Sequence, residues 1–213
     1  MANTNIYGKF EPTLQAVLNN LLTQIQEYNQ QELQSHGENA FEHLISRIKD
    51  SKSMCKKCIR QSLPLNTHSA LYDIHDAIGI RIVCRFIDDI YKNIDYIKSL
   101  PQVKIIQEKD YIKNVKPNGY RSYHLILALT VPYEDVLGHN PGTFYAEIQL
   151  RTIAMDSWAS LEHQMKYKHD IKNPELIIKE LKRCADELAA CDISLQTIRN
   201  LINDDNSIET KVI

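Results

Sequence analysis

Glycine is scarce in this sequence: there are six in 213 residues, Gly8, Gly37, Gly79, Gly119, Gly138 and Gly142, and no two are placed to build a glycine-rich phosphate loop. A P-loop and a Rossmann fingerprint are thereby excluded. Long apolar runs are missing as well. None approaches the roughly 18 residues that span a bilayer, and no basic-then-apolar leader opens the chain. The cysteines number five, an odd count, and only Cys55 and Cys58 have C-x-x-C spacing, with no second close pair to complete a structural zinc site. They read as reduced, buried thiols in a cytoplasmic protein. The eight histidines show no His-Glu-x-x-His pattern, and between Phe10 and Ser46 there is no lysine or arginine.

What is present is an ordinary globular composition, 43% hydrophobic and 24% charged, enough to bury a core without disulfides or metal. Formal net charge is −2, yet from Arg47 to Arg60 six cations stand against the single acid Asp50. Leu14, Val17, Leu18, Leu21, Leu22, Ile25 and Tyr28 recur at helical spacing and predict an amphipathic helix over 13–34, ended near Ser35 and Gly37. A second helix is expected over 39–61, closed by Pro64. A short helix or turn over 69–76 follows, then a strand over 79–86 and a helix capped by Asp88 and Asp89 and stopped by Pro101. Strands over 103–108 and 122–131 flank a Pro-Asn-Gly turn, and another strand over 143–151 leads into a helix over 153–168. There Trp158, Leu161 and Met165 share a face and read as core.

In the last helix, 174–203, Ile177, Leu181, Cys184, Leu188, Cys191, Leu195, Ile198 and Ile202 step alternately by four and three. Such a heptad seam needs a helical partner, either this chain's own amino-terminal helix or another subunit. The elements make one α/β (α+β) domain over 1–213: an amino-terminal helix (1–37), a core (38–168) and the heptad helix (174–203).

On a helix, Lys49, Lys52, Lys56 and Arg60 share one face, with Ser53 and Lys57 beside them. Like charges so stacked destabilise an unliganded helix by a few tenths of a kcal/mol per pair. The face is either solvated or compensated by a triphosphate or a nucleic-acid backbone. Alternation puts Ile80, Ile82, Cys84 and Phe86 on one face of their strand and Arg81, Val83 and Arg85 on the other. In the 143–151 strand, Tyr145, Glu147, Gln149 and Arg151 oppose Phe144, Ala146, Ile148 and Leu150. If the two strands are neighbours, Arg81, Glu147, Gln149 and Arg151 form a shallow charged floor with Asp76 at its mouth. Two carboxylates beside a basic wall suit a Mg²⁺–nucleotide site, because hard oxygens hold the ion while Lys and Arg neutralise phosphate. Ordinary cross-strand ion pairs are the alternative.

Five ordered stretches carry a resemblance: Ile74-His75-Asp76-Ala77-Ile78-Gly79-Ile80-Arg81, Lys109-Asp110-Tyr111-Ile112, Lys116-Pro117-Asn118-Gly119-Tyr120-Arg121-Ser122-Tyr123-His124, Glu147-Ile148-Gln149-Leu150-Arg151-Thr152 and Trp158-Ala159-Ser160-Leu161-Glu162-His163. Over about 41–168 the chain resembles the synthetase domain of RelA/SpoT-type alarmone enzymes, in the stand-alone small form. The resemblance implies a mostly antiparallel, mixed five-stranded sheet flanked by helices, similar to nucleotidyltransferases, with a long C-terminal helix. It implies transfer of pyrophosphate from ATP to the 3′-hydroxyl of GTP or GDP, giving AMP and (p)ppGpp for stringent-response signalling. Carried over by motif, Asp76 would hold Mg²⁺, and Glu147 would bind Mg²⁺ or activate the acceptor hydroxyl. Arg47 and Arg81 would sandwich adenine, with Lys49, Ser53, Lys57 and Arg60 along the ATP phosphates. Tyr120 would stack on guanine, with Lys109, Lys116, His124 and Gln149 around the acceptor ribose and phosphates.

Where relatives can carry Asn, this chain has Asp156, whose carboxylate can accept from guanine N1 and its exocyclic amine and so favours guanine. A homo-oligomer, specifically a tetramer, is expected, with RNA as a regulator and neither membrane nor DNA as partner. The amino-terminal helix lacks the basic residues through which some tetrameric members bind stimulating product, so stimulation is expected to be weak or absent. Two alternatives stand beside this reading: pyrophosphate transfer to an adenosine nucleotide or a tRNA 3′ end, and a non-catalytic RNA-binding module.

Overall fold

The computed structural model describes residues 5–166 and 173–209. Five strands, β1 (His43–Ile48), β2 (Ile78–Cys84), β3 (Val103–Asp110), β4 (Tyr123–Val131) and β5 (Gly142–Thr152), form one sheet in the order β1-β2-β5-β4-β3. Only β2 and β5 run parallel, so the sheet is mixed and mostly antiparallel, as expected.

One face of that sheet is apolar because every second residue of its central strands is. Ile78, Ile80 and Ile82 of β2, Ala146, Ile148 and Leu150 of β5, and Leu125, Leu127 and Leu129 of β4 are all buried. Against them pack α1 (Glu11–His36) through Leu14, Val17, Leu18, Leu21 and Ile25, and α3 (Ile87–Ser99) through Ile90, Ile94 and Ile97. Pro12 sits in the first turn of α1, and Gly37 ends it at φ 75°, its N–H bonded to Leu33 O at 3.0 Å.

The expected helix over 39–61 is two elements, β1 and α2 (Ser51–Arg60). Asp50 caps α2, accepting from Ser53 N at 2.9 Å, while Leu44, Ile45 and Ile48 are drawn into pairing with β2. Arg47 and Lys49 therefore stand outside the helix, and the expected four-cation ladder is reduced to Lys52, Lys56 and Arg60 on its exposed face. Met54 and Cys58 make the buried side of α2, whereas Ile59 is 64% exposed. A π-helical turn, Ser69–Asp73, then leads into β2. Asp88 and Asp89 lie inside the first turn of α3 and do not cap it; Phe86 is the N-cap.

After β5 come α4 (Ile153–Lys166) and α5 (Pro174–Glu209). Residues 167 and 168, where the spacing places the end of the core, lie outside the described residues. Trp158 is buried as expected, but Leu161 and Met165 are exposed. Only part of the heptad seam of α5, at Leu181 and Leu188, lies on its packing face. Leu181, Ala185, Leu188, Asp192, Gln196 and Arg199 face the domain, and α5 rests on α4, on the turn before β4 and on the start of α3, not along α1. Trp158 Nε1 donates to Leu181 O, Thr152 Oγ1 to Asp192 and Arg199 to Asp89, all within 2.8 Å. Cys184, Cys191, Leu195, Ile198 and Ile202 remain in solvent, so two of the five thiols are exposed and not buried. No helix among the described residues is long and apolar enough to cross a membrane.

Gly119 fits between the turn and α5: its φ is +89°, and a Cβ there would lie 2.6 Å from Ala185 Cβ. Gly119→Ala should therefore cost about 1–2 kcal/mol from backbone conformation alone, lowering the melting temperature by about 2–8 °C. Ala185→Gly in the same chain should restore only the steric part. An unchanged melting temperature in the single variant would contradict this packing.

Candidate active site

Because cross-strand partners point to the same side of a sheet, strand register dictates what stands together on the face away from the core. One row runs Ile45, Arg81, Gln149, His124, Lys109 across all five strands. The next runs Arg47, Gly79, Glu147, Ile126, Gln107. The absence of a side chain at Gly79 leaves room for Arg47, whose Cγ would be 3.7 Å from a Cβ placed there. Ile45, Ser46, Arg47, Gly79, Ile80, Arg81, Glu147 and Gln149 line a cavity of about 210 Å³. A roomier groove of about 710 Å³ between α1 and α3 is lined by Glu32, Glu38, Asp89 and Asp95 against Lys92 and His36, the wrong balance for a phosphate.

Asp76 stands just before β2 and takes ion pairs from both Lys49 and Lys57, the latter at 2.6 Å. Lys57 reaches it from the inward side of α2. Lys49 projects from the β1–α2 turn, which the amino terminus braces: the buried Tyr7 hydroxyl donates to Lys49 O at 2.6 Å, and Ile6 N to Ser51 Oγ at 3.0 Å. Burial alone would raise the Asp76 carboxyl, but the hydrogen bonds and charges of the two lysines overcome it and hold the group below its ordinary range. Glu147 is likewise pushed up by burial and by Asp76, and held low overall by His124 and Gln149. The two carboxylates thus feel each other's charge within one cation-lined centre.

That pair fits a hard divalent cation. Asp76 Oδ1 is buried and accepts no hydrogen bond from any described residue, an acceptor left for something outside the chain. Two carboxylates are the protein's usual share for Mg²⁺, which fills its remaining positions with water and substrate phosphate.

The residues expected around the acceptor gather beyond Glu147. His124 Nδ1 meets Glu147 Oε1 at 3.2 Å, Gln149 Nε2 donates to Oε2 at 3.2 Å, and the Tyr120 hydroxyl is 2.9 Å from His124 Nε2. Lys116 Nζ sits between the rings of Tyr111 and Tyr120, 4.3 and 4.7 Å from their centres. Tyr120 is half-buried between that cation and Trp158. Lys109 is exposed at the cross-strand position beside His124. Asp156, on α4, accepts from Arg151 at 2.8 Å and pairs with Arg81 at 3.2 Å, so a residue expected at adenine and one expected at guanine are joined. Ser53 and Arg60 are exposed on α2 and bond to neither carboxylate. Sequence reasoning gave no role to Tyr7, Tyr111 or Arg151. Only Arg151 left a signal, as the last charged residue on the face that carries Glu147 and Gln149.

Residues 46–172 match the family described as the region found in RelA and SpoT proteins. The GTP pyrophosphokinase YwaC of Bacillus subtilis (strain 168) is 42% identical over 161 residues, 76% of this chain and 73% of that one. A GTP pyrophosphokinase family protein from Streptococcus pneumoniae has the same fold, with TM-score 0.77 and 30% identity over 93% of this chain and 95% of that one. Small alarmone synthetase 1 from Bacillus subtilis, bound to its product pppGpp, also superposes with TM-score 0.77, at 28% identity over 91% of this chain and 95% of that one.

A carboxylate held low adds stability that is full above the ordinary aspartate range and is lost as pH falls through the lowered value. In Lys49→Met, Asp76 keeps only Lys57, and its side-chain carbon should titrate in NMR at a higher pH than in the wild type. Coincident titration curves would show that Lys49 does not set the charge of Asp76.

Proposed function

The chain belongs to the RelA/SpoT family, and from that premise we propose that it is an alarmone synthetase, a GTP diphosphokinase that moves pyrophosphate from ATP to the 3′-hydroxyl of GTP or GDP. The observation that carries this reading is that Asp76, paired with Lys49 and Lys57, stands close enough to Glu147 for its charge to act there.

Donor and acceptor occupy opposite sides of Glu147. Arg47 and Arg81, flat cations on neighbouring strands, hold the adenine of ATP between them. Lys49 and Lys57 neutralise its phosphates, with Arg60 and Ser53 reaching them from α2. On the other side Tyr120 stacks on guanine, and Lys109, Lys116, His124 and Gln149 surround the acceptor's ribose and phosphates. Asp156 selects guanine, which can donate to both of its oxygens. Glu147, kept ionised, takes the proton of the 3′-hydroxyl as that oxygen bonds to the β-phosphorus, and the bond to the α-phosphate oxygen breaks to release AMP. Fixed cations stabilise the charge that spreads over the transferred group without reorganising during the step. Asp76 and Glu147 would hold Mg²⁺, which supplies further neutralisation of phosphate oxygens when bound.

A second reading rests on the exposed trio Lys52, Lys56 and Arg60, which suits a phosphate backbone: RNA would bind there as a regulator, or as the ligand of a non-catalytic module. The two are separated by incubating the chain with labelled ATP, Mg²⁺ and, in turn, GTP, GDP, ATP and tRNA. The synthetase reading predicts transfer to GTP and GDP with AMP released. Glu147→Gln should lower turnover about 10²–10⁴-fold while leaving nucleotide binding largely intact. Transfer only to ATP or tRNA, or salt-sensitive RNA binding with no transfer at all, would overturn it.

The exposed seam of α5 is the surface through which copies assemble, into a tetramer. Ile198→Glu with Leu195→Glu should reduce the mass seen by light scattering to that of a smaller species. A wild-type monomer, or an unaltered mass in the double variant, would contradict assembly through this face.

A further inference from the structure

Arg151 bonds to more side chains of the site than any of the residues given a role above. Its side chain is only 6% exposed. Nε donates to Ser122 Oγ at 3.3 Å, one terminal nitrogen to Asp156 Oδ1 at 2.8 Å, and the other to the Tyr120 hydroxyl at 2.7 Å and to Gln149 Oε1 at 3.1 Å.

A guanidinium can only donate, so each of its partners turns an acceptor toward it. With one lone pair of Tyr120 taken by Arg151, we assign the tyrosine proton to the bond with His124 Nε2. The imidazole must then carry its own proton on Nδ1, which it donates to Glu147 Oε1. On the other branch, Gln149 must turn its carbonyl to Arg151, so its amide faces Glu147 Oε2. Both oxygens of Glu147 are therefore tethered to one buried guanidinium, Oε2 through Gln149 and Oε1 through Tyr120 and His124, and the same guanidinium holds Asp156.

We propose that Arg151 is the positioning residue of the acceptor half-site: it orients the guanine-stacking ring, the guanine-selecting carboxylate and both oxygens of the proton-accepting carboxylate as one frame. This rests on the synthetase reading above. Arg151 touches neither substrate nor reacting atoms, and it acts by the polarity it imposes on its neighbours. Lysine in its place keeps the charge but lacks the planar fork that reaches four acceptors at once.

The test is a steady-state and binding comparison of the wild type, Arg151→Lys and Arg151→Ala, with thermal melting of each. In Arg151→Lys, kcat should fall about 10–100-fold, in line with the loss of an outer partner that orients a reactive group, and KM for GDP should rise. The Kd of a non-hydrolysable ATP analogue should rise less than that of GDP, because Lys49, Lys57 and Arg47 are not bonded to Arg151 and only Arg81 is linked to it, through Asp156. In Arg151→Ala, millimolar guanidinium should restore part of kcat, and methylammonium at the same concentration should not. Equal loss of donor and acceptor affinity without guanidinium rescue would mark Arg151 as a strut of the core and overturn the proposal, as would wild-type kinetics in Arg151→Lys. A wild-type chain that transfers nothing to GTP or GDP would bring down the synthetase reading first, and this proposal with it.

Discussion

The parallel pairing of β2 with β5 is the constraint from which the site follows. It sets Gly79 opposite Glu147 and Arg81 opposite Gln149. Because side chains alternate with a period of two, a slip of one residue would turn Glu147 into the core and expose Ile148. That slip is opposed by the burial of Ile78, Ile80, Ile82, Ala146, Ile148 and Leu150, each at 2% exposure or less. At about 1.5–3 kcal/mol for each fully buried large aliphatic side chain, the core outweighs any preference the polar residues have among themselves. The chemistry on one face is thus placed by the packing on the other.

Electrostatics then decides the state of what has been placed. A carboxylate that is largely buried tends to take up a proton, and Asp76 and Glu147 each repel the other's charge. Lys49 and Lys57 on one side, and His124 and Gln149 on the other, reverse that tendency. Each carboxylate has its own pair of donors, which suits two different tasks a short distance apart. Arg81 shows the opposite balance: burial and the neighbouring Arg151 disfavour its charge, and Asp156 opposes them. The pair Arg81–Asp156 consequently ties β2 to α4 at the edge of the charged floor.

Elements with a strong single period were legible in the sequence. Residues 13–34 announce α1 by helical spacing, and the alternation in β2 and β5 places Arg81, Glu147 and Gln149 on one floor. β1 was hidden because it is a six-residue edge strand, half-exposed, whose charges run on into those of α2. The helical ladder that the sequence suggests from Lys49 to Arg60 mixes a turn, an inward face and an outward one. For α5 the apolar heptad divides: Leu181 and Leu188 dock, Cys184, Cys191, Leu195, Ile198 and Ile202 stay in solvent, and the docked side is completed by Ala185, a buried Asp192 and Arg199, which no hydropathy pattern singles out. Arg151 was read as floor, because its partners Ser122, Tyr120 and Asp156 converge only in three dimensions.

The central claim is that two nucleotides meet across Glu147 on the open face of the sheet. A crystal structure of the chain with a non-hydrolysable ATP analogue, GDP and Mg²⁺ addresses it directly. The account predicts the triphosphate against Lys49 and Lys57, the guanine on Tyr120, and the acceptor 3′-oxygen within hydrogen-bond reach of Glu147. Either nucleotide bound elsewhere, such as in the groove between α1 and α3, or a 3′-oxygen turned away from Glu147, would contradict it.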